Sequence, residues 1–260
     1  MHPKVVPPSW LAERLDEVHV VDVRDAWEFE GIGHVPGAVN VPFDSFRGDD
    51  GEAGKLPGAE AFADLVGDVG ISTDDRVVAY DDHHGVFAAR FLVTAELYGH
   101  DPSKLHLLDG DFSAWQRAYE TTSEVDQPTP VEYEAVFDTD GPLVPMETVQ
   151  TAVDSGAVIV DTREPWEFAE GHIPGAVQLD WQEVIDEETR GLLPEADLRD
   201  LFEAKGITPE KRVLLYCNTA RRISHTYVTL RHLGYEDLAF YEGSLTEWER
   251  EGGTLVTEEG

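Results

Sequence analysis

Short apolar runs alternate with amphipathic stretches along the whole 260-residue chain. Residues 18–23, 77–80 and 105–108 read as strands, and residues 9–16, 59–67 and 86–98 as helices. The alternation returns at 157–161, 213–216 and 238–241, with helices predicted at 146–154, 195–204 and 222–233. The run 213–216 is apolar throughout, as a strand buried on both faces requires. The pattern predicts an α/β protein in which parallel sheets carry helices on both faces.

The two series are copies of one another. Val20-Val21-Asp22-Val23-Arg24 returns as Ile159-Val160-Asp161-Thr162-Arg163, and Gly33-His34-Val35-Pro36-Gly37-Ala38 as Gly171-His172-Ile173-Pro174-Gly175-Ala176. Arg76 to Tyr80 matches Arg212 to Tyr216, and the segment from Leu108 to Trp115 matches that from Tyr241 to Trp248. A period this long, kept in order, marks a duplicated domain rather than a solenoid. The expected division is a first domain over 1–120, an extended linker over 121–144 and a second domain over 145–260. The linker stretch is polar and acidic and contains Pro128, Pro130 and Pro142.

Charge changes the picture next. The chain has 53 acidic against 19 basic residues and a formal net charge of −34, with lysine only at positions 4, 55, 104, 205 and 211. Because the acidic residues are spread through a chain that is 41% hydrophobic, they describe a folded acidic surface and not a disordered tail. This surface suits the cytosol of a halophile and argues against nucleic acid or anionic membranes as partners. The N-terminal residues lack the apolar core of a signal peptide and no stretch is long and apolar enough for a membrane span, so a cytoplasmic location is expected.

The chemistry centres on the single cysteine, Cys217, which follows the apolar run 213–216 and precedes a helical stretch. One cysteine excludes an intramolecular disulfide. At the junction of a strand and a helix start, backbone N–H groups point toward an anion, and Arg221 and Arg222 add positive charge. Cys217 is therefore expected to be a nucleophile, with Asn218, Thr219, Ala220, Arg221 and Arg222 forming the loop that binds an anionic substrate. In the first copy Asp81 stands in its place, followed by Asp82, His83, His84 and Gly85. These adjacent side chains read as a loop rather than a metal site, and no metal or organic cofactor is required.

Together, Asp161-x-Arg163, Gly171-His172-Ile173-Pro174-Gly175-Ala176, the Tyr216-Cys217 loop and Gly243-x-x-x-x-Trp248 resemble the rhodanese superfamily of sulfurtransferases, in tandem arrangement. The resemblance implies that Cys217 takes a sulfane sulfur as a persulfide and passes it to cyanide, a thiol or a partner protein, and that the Asp81 domain is inactive. Asp161, Arg163 and His172, with their first-copy equivalents, are read as structural, and Trp27, Trp115, Trp166 and Trp248 as core or loop packing. Glu167 departs from several thiosulfate and mercaptopyruvate enzymes, which carry an arginine at that place. Two loop arginines favour thiosulfate as donor over the alternative, 3-mercaptopyruvate. Other readings are a non-catalytic sulfur-carrier or regulatory module, and a phosphatase or arsenate reductase of related fold. The latter needs an arginine six residues after the cysteine, where this chain has Ile223.

Overall fold

A computed structural model describes residues 4–48, 56–152, 155–218 and 220–257. The chain divides into two compact units. Unit 1 comprises residues 1–138 together with 186–192, and unit 2 comprises residues 139–185 and 193–260.

In unit 1 the elements run β1 (Val5–Val6), α1 (Pro8–Ala12), β2 (His19–Asp22), α2 (Ala26–Gly31), β3 (Ala38–Asn40), α3 (Ala59–Asp68), β4 (Val77–Tyr80), α4 (Val86–Leu97), β5 (Leu105–Leu108) and α5 (Phe112–Trp115). The sheet order is β1-β5-β4-β2-β3, with every pair parallel. Unit 2 repeats the plan with α6 (Met146–Ala152), β6 (Val158–Asp161), α7 (Pro165–Glu170), β7 (Val177–Gln178), α8 (Glu195–Ala204), β8 (Val213–Tyr216), α9 (Arg221–His232), β9 (Leu238–Phe240) and α10 (Ser244–Arg250). Its order is β7-β6-β8-β9, again parallel throughout.

The central strands β4 and β8 are buried at every position, which is why their sequences show no polar alternation. Their C-terminal ends are where an open parallel sheet presents its ligand loops, and the chain there passes into α4 and α9.

Beside the C-terminal end of each central strand the Asp-x-Arg pair closes a buried network. Asp161 accepts from the Nε and Nη2 of Arg163, the closest contact being 2.6 Å, and Arg163 Nη2 also donates to the Gly171 carbonyl. The Tyr216 hydroxyl accepts the Ile173 N–H, and burial followed by the nearby Asp161 carboxylate pushes its pKa far up, so it stays protonated. Asp22, Arg24, Gly33, Val35 and Tyr80 reproduce the set in unit 1. His34 and His172 stack on Phe29 and Phe168 with ring centroids 3.6 Å apart. All these groups hold loops to the sheet.

Two of the four tryptophans of the repeated motifs depart from the expected packing. Trp115 and Trp248 are buried, but Trp27 and Trp166 are 65% and 59% exposed. The reason is local: each lies in the first turn of a short helix, and its indole N–H reaches back to the carboxylate of the preceding N-cap residue, Asp25 or Glu164.

Residues 121–138 contain no helix and only an isolated bridge between Thr122 and His34, yet they run closely over unit 1. Val131 donates its N–H to the Gly67 carbonyl and Val136 to that of Tyr98, while Tyr133 is buried against Phe62. A Cβ at Gly67 would lie 2.5 Å from the Val131 carbonyl oxygen, so glycine is needed for this approach.

Candidate functional site

Cys217 directly follows β8, and its residue is fully buried. Its N–H donates to Ser244 Oγ at 3.3 Å, and its carbonyl accepts from Leu245 N–H at 3.0 Å. Ser244 Oγ in turn donates to the Tyr241 carbonyl, so the first turn of α10 pins the backbone of the cysteine from one side. Ser244 has a φ of +51° and is fully buried. It is a site residue that sequence reasoning missed, although its place in the repeated Gly-x-x-x-x-Trp segment was a signal.

From Cys217 the chain makes a tight turn. Ala220 is buried and left-handed, with φ +65°, and α9 begins immediately after it at Arg221. Thr219 lies outside the described residues. Asn218 is half-buried, with its carbonyl 3.4 Å from the Thr246 hydroxyl. Arg221 and Arg222, both half-buried, occupy the first two positions of α9.

A carboxylate from elsewhere in the sequence joins this loop. Glu167, 7% exposed, accepts from Asn218 Nδ2 at 2.8 Å through Oε1 and from Arg222 Nη1 at 2.5 Å through Oε2. Its Oε2 also accepts the Glu164 N–H, which completes a capping box at the start of α7. Near Arg222 stands Asp180, whose pKa is raised by burial and by Glu164 and Glu183, against the pull of the Gln182 N–H and Arg222. Arg222 thus faces acidic groups, which net composition foreshadowed but no local motif announced.

The corresponding loop of unit 1 has the same bend with a different filling. His84, three residues after Asp81, is left-handed at φ +58°, as Ala220 is three residues after Cys217. The Asp81 carboxylate is fully buried and accepts four backbone N–H groups, from His83 at 2.6 Å, Gly85 at 2.8 Å, Phe87 at 2.7 Å and Ala88 at 3.0 Å. Burial lifts its pKa above the ordinary value while these donors oppose the rise. Beside it is a cavity of about 160 Å³ walled by Phe43 and Phe87 and edged by Asp25, Glu28 and Asp44.

His83 packs its ring edgewise against Phe87, and His84 Nδ1 lies 3.2 Å from the Arg190 carbonyl. Arg190 itself makes a two-pronged contact with the buried Asp111. Among the described residues no group of three or more His, Cys, Asp or Glu side chains is arranged to hold a metal ion.

Two tandem parallel-sheet domains, each with a left-handed strand-to-helix bend and only the second with a thiol at its start, define a class of α/β protein with a single thiol-bearing loop. The family model for the rhodanese-like domain matches residues 7–118 and again 146–251. The chain therefore belongs to the rhodanese family, as a tandem member of its sulfurtransferase branch. It is 32% identical to a putative thiosulfate sulfurtransferase of Haloferax volcanii, over 97% of this chain and 94% of that one. It is equally similar, at 32%, to a thiosulfate sulfurtransferase of Pseudomonas aeruginosa, over 98% of this chain and 97% of the relative. A sulfur carrier protein of Thermus thermophilus, TtuD, is 30% identical over 98% of this chain and 95% of its own. Among solved structures, the 3-mercaptopyruvate sulfotransferase SseA of Escherichia coli superposes with a TM-score of 0.83 at 26% identity, covering 93% of this chain and 98% of that one.

Proposed function

We propose that the protein is a thiosulfate sulfurtransferase that carries the transferred sulfur as a persulfide on Cys217. The observation that carries this reading is the pair of matched bends: the left-handed residue three positions after the central-strand end follows a buried carboxylate that accepts loop N–H groups in unit 1 and a buried thiol in unit 2. A loop of this shape at a helix start suits a thiolate and, after transfer, a terminal persulfide anion.

Thiosulfate docks through its sulfonate oxygens against Arg221, the loop N–H groups and the nearby Arg222. The Cys217 thiolate attacks the outer sulfur, a new S–S bond forms, and the S–S bond of thiosulfate breaks with its electron pair leaving on sulfite. In the second half-reaction cyanide or a thiolate attacks the terminal sulfur, and the electron pair of the Cys217 S–S bond returns to the cysteine as thiolate. The sequence contains no other cysteine to resolve the persulfide, so the acceptor comes from outside and the kinetics are double-displacement. The relative named as a sulfur carrier supports a protein acceptor as one physiological partner.

The site is cytoplasmic and halophilic in this reading, supported by the charge of −34 and a Haloferax relative. Among the described residues no helix is long and apolar enough to cross a membrane. The 3-mercaptopyruvate alternative draws on the SseA likeness.

The test is the intact mass of the protein in molar salt after thiosulfate and then cyanide, with Cys217→Ser beside wild type. Gain of one sulfur on wild type alone, lost as thiocyanate, is the expected result. Gain only with 3-mercaptopyruvate would reassign the donor, and no gain with either would overturn the persulfide mechanism.

A further inference from the structure

Glu167 serves two elements at once. It caps α7, where its Oε2 accepts the Glu164 N–H at 3.0 Å, and the same carboxylate accepts from Asn218 Nδ2 at 2.8 Å and from Arg222 Nη1 at 2.5 Å. Asn218 directly follows Cys217 and Arg222 stands in the first turn of α9, so one buried side chain grips the thiol-bearing loop at both ends. Its counterpart in unit 1, Glu28, makes the same capping box with Asp25. There the places of Asn218 and Arg222 are taken by Asp82 and Val86, whose side chains have no N–H to donate, and Asp82 accepts instead from Ser113. Capping therefore explains a glutamate in both repeats, whereas the grip on the loop belongs to the repeat that has the thiol.

The need for a grip follows from what Cys217 lacks. Asp81 gathers four loop N–H groups on its own carboxylate, and a thiol has no oxygen with which to do the same. Ala220 also sits in the left-handed region, at φ +65°, which an alanine adopts only under constraint. We propose that Glu167 is a positioning residue that keeps the Cys217 loop in its anion-receiving shape before any anion arrives, by fixing Asn218 and Arg222 to the start of α7. The inference rests on the sulfurtransferase reading of that loop. A loop held only part of the time binds with an affinity reduced by the fraction of time it is held, so the brace acts on the step in which the empty loop captures its donor. After transfer, the terminal persulfide anion occupies the loop and holds it from within. The brace then matters little to the second half-reaction.

The two half-reactions separate this role from capping. In molar salt, where screening confines the charge of Glu167 to about 3 Å, Glu167→Ala should lower kcat/KM for thiosulfate about tenfold and leave kcat/KM for cyanide within about twofold. Glu167→Gln keeps the cap and an acceptor for Asn218 but gives up the ion pair with Arg222, so its loss for thiosulfate should be intermediate, about threefold. Glu28→Ala removes the same cap from unit 1 and should leave both constants unchanged. Hydrogen exchange at the amides of residues 218–222, measured without donor, reads the brace apart from any chemistry. It should run about tenfold faster in Glu167→Ala and at the wild-type rate in Glu28→Ala. Equal losses for thiosulfate and cyanide, a thiosulfate constant that holds or rises in Glu167→Ala, or loop amides that exchange no faster in that variant would overturn the proposal. A wild type that gains no sulfur would remove the sulfurtransferase reading, and the exchange rates would still decide whether Glu167 holds the loop.

Discussion

Units 1 and 2 form the same left-handed bend after their central strand, yet one bend starts at a carboxylate and the other at a thiol. In unit 1 Asp81 satisfies four backbone N–H groups at once and its loop is complete without any ligand. In unit 2 the residue at that position is short and carries no oxygen, and the loop is held from its flanks instead, by Ser244 at Cys217 and by Glu167 at Asn218 and Arg222. A turn of this shape can thus be held by a permanent internal anion, or braced from outside by neighbouring side chains.

The comparison breaks most sharply at Asp81. Replacing it with Ala leaves four buried N–H groups without their acceptor and should cost about 3 kcal/mol or more, read as a fall in the urea midpoint of unfolding. Persulfide formation on Cys217 should survive in the protein that remains folded. A loss of less than about 1 kcal/mol would mean that water or the cavity beside Phe43 and Phe87 replaces the carboxylate, and the loop would not depend on its internal anion.

A smaller effect is expected at Arg190. Burial acts to raise the pKa of Asp111, but the Arg190 guanidinium and the N–H groups of Ala114 and His84 outweigh it and hold the carboxyl below its ordinary value. A depressed carboxylate stabilises the fold above its unfolded pKa, about 3.9, and that contribution is lost as pH falls through the folded value. Arg190→Ala should therefore destabilise by about 1–2 kcal/mol at neutral pH, with the difference from wild type shrinking below about pH 4. A pH-independent difference would assign the loss to packing instead.

The smallest effect is expected at Ala220. Glycine removes the left-handed strain of about 1 kcal/mol but adds a comparable entropy to the unfolded chain, so Ala220→Gly should change stability by no more than about 0.5 kcal/mol. Any appreciable loss of transfer rate in this variant would show that the stiffness of the bend, and not only its shape, serves the thiol.

The long elements were legible in the sequence because burial on both faces writes itself as an uninterrupted apolar run, as in β4 and β8. The two-residue strands β1 and β7 and the three-residue β3 carry too few positions to show a period, and they depend on pairing with strands already placed. Helices α2 and α7 span fewer than two turns, but their capping boxes, Asp25 with Glu28 and Glu164 with Glu167, were a usable local signal. At the site, Cys217 and the left-handed turn toward α9 follow from a strand running directly into a helix. The reach of Glu167 to Arg222 does not, since those residues are 55 positions apart and meet only once β6 and β8 are paired.

The turn at residues 186–192 is encoded in the second repeat and belongs to the first unit, where Arg190 meets Asp111 and Leu192 N–H meets Asp109. Duplication is often pictured as leaving two halves that could be parted again. Here a split between the repeats would strip the first half of seven residues that it uses, and leave the second half displaying a turn with nothing to grip. The two copies have ceased to be interchangeable pieces, and their common descent survives as a pattern in the sequence.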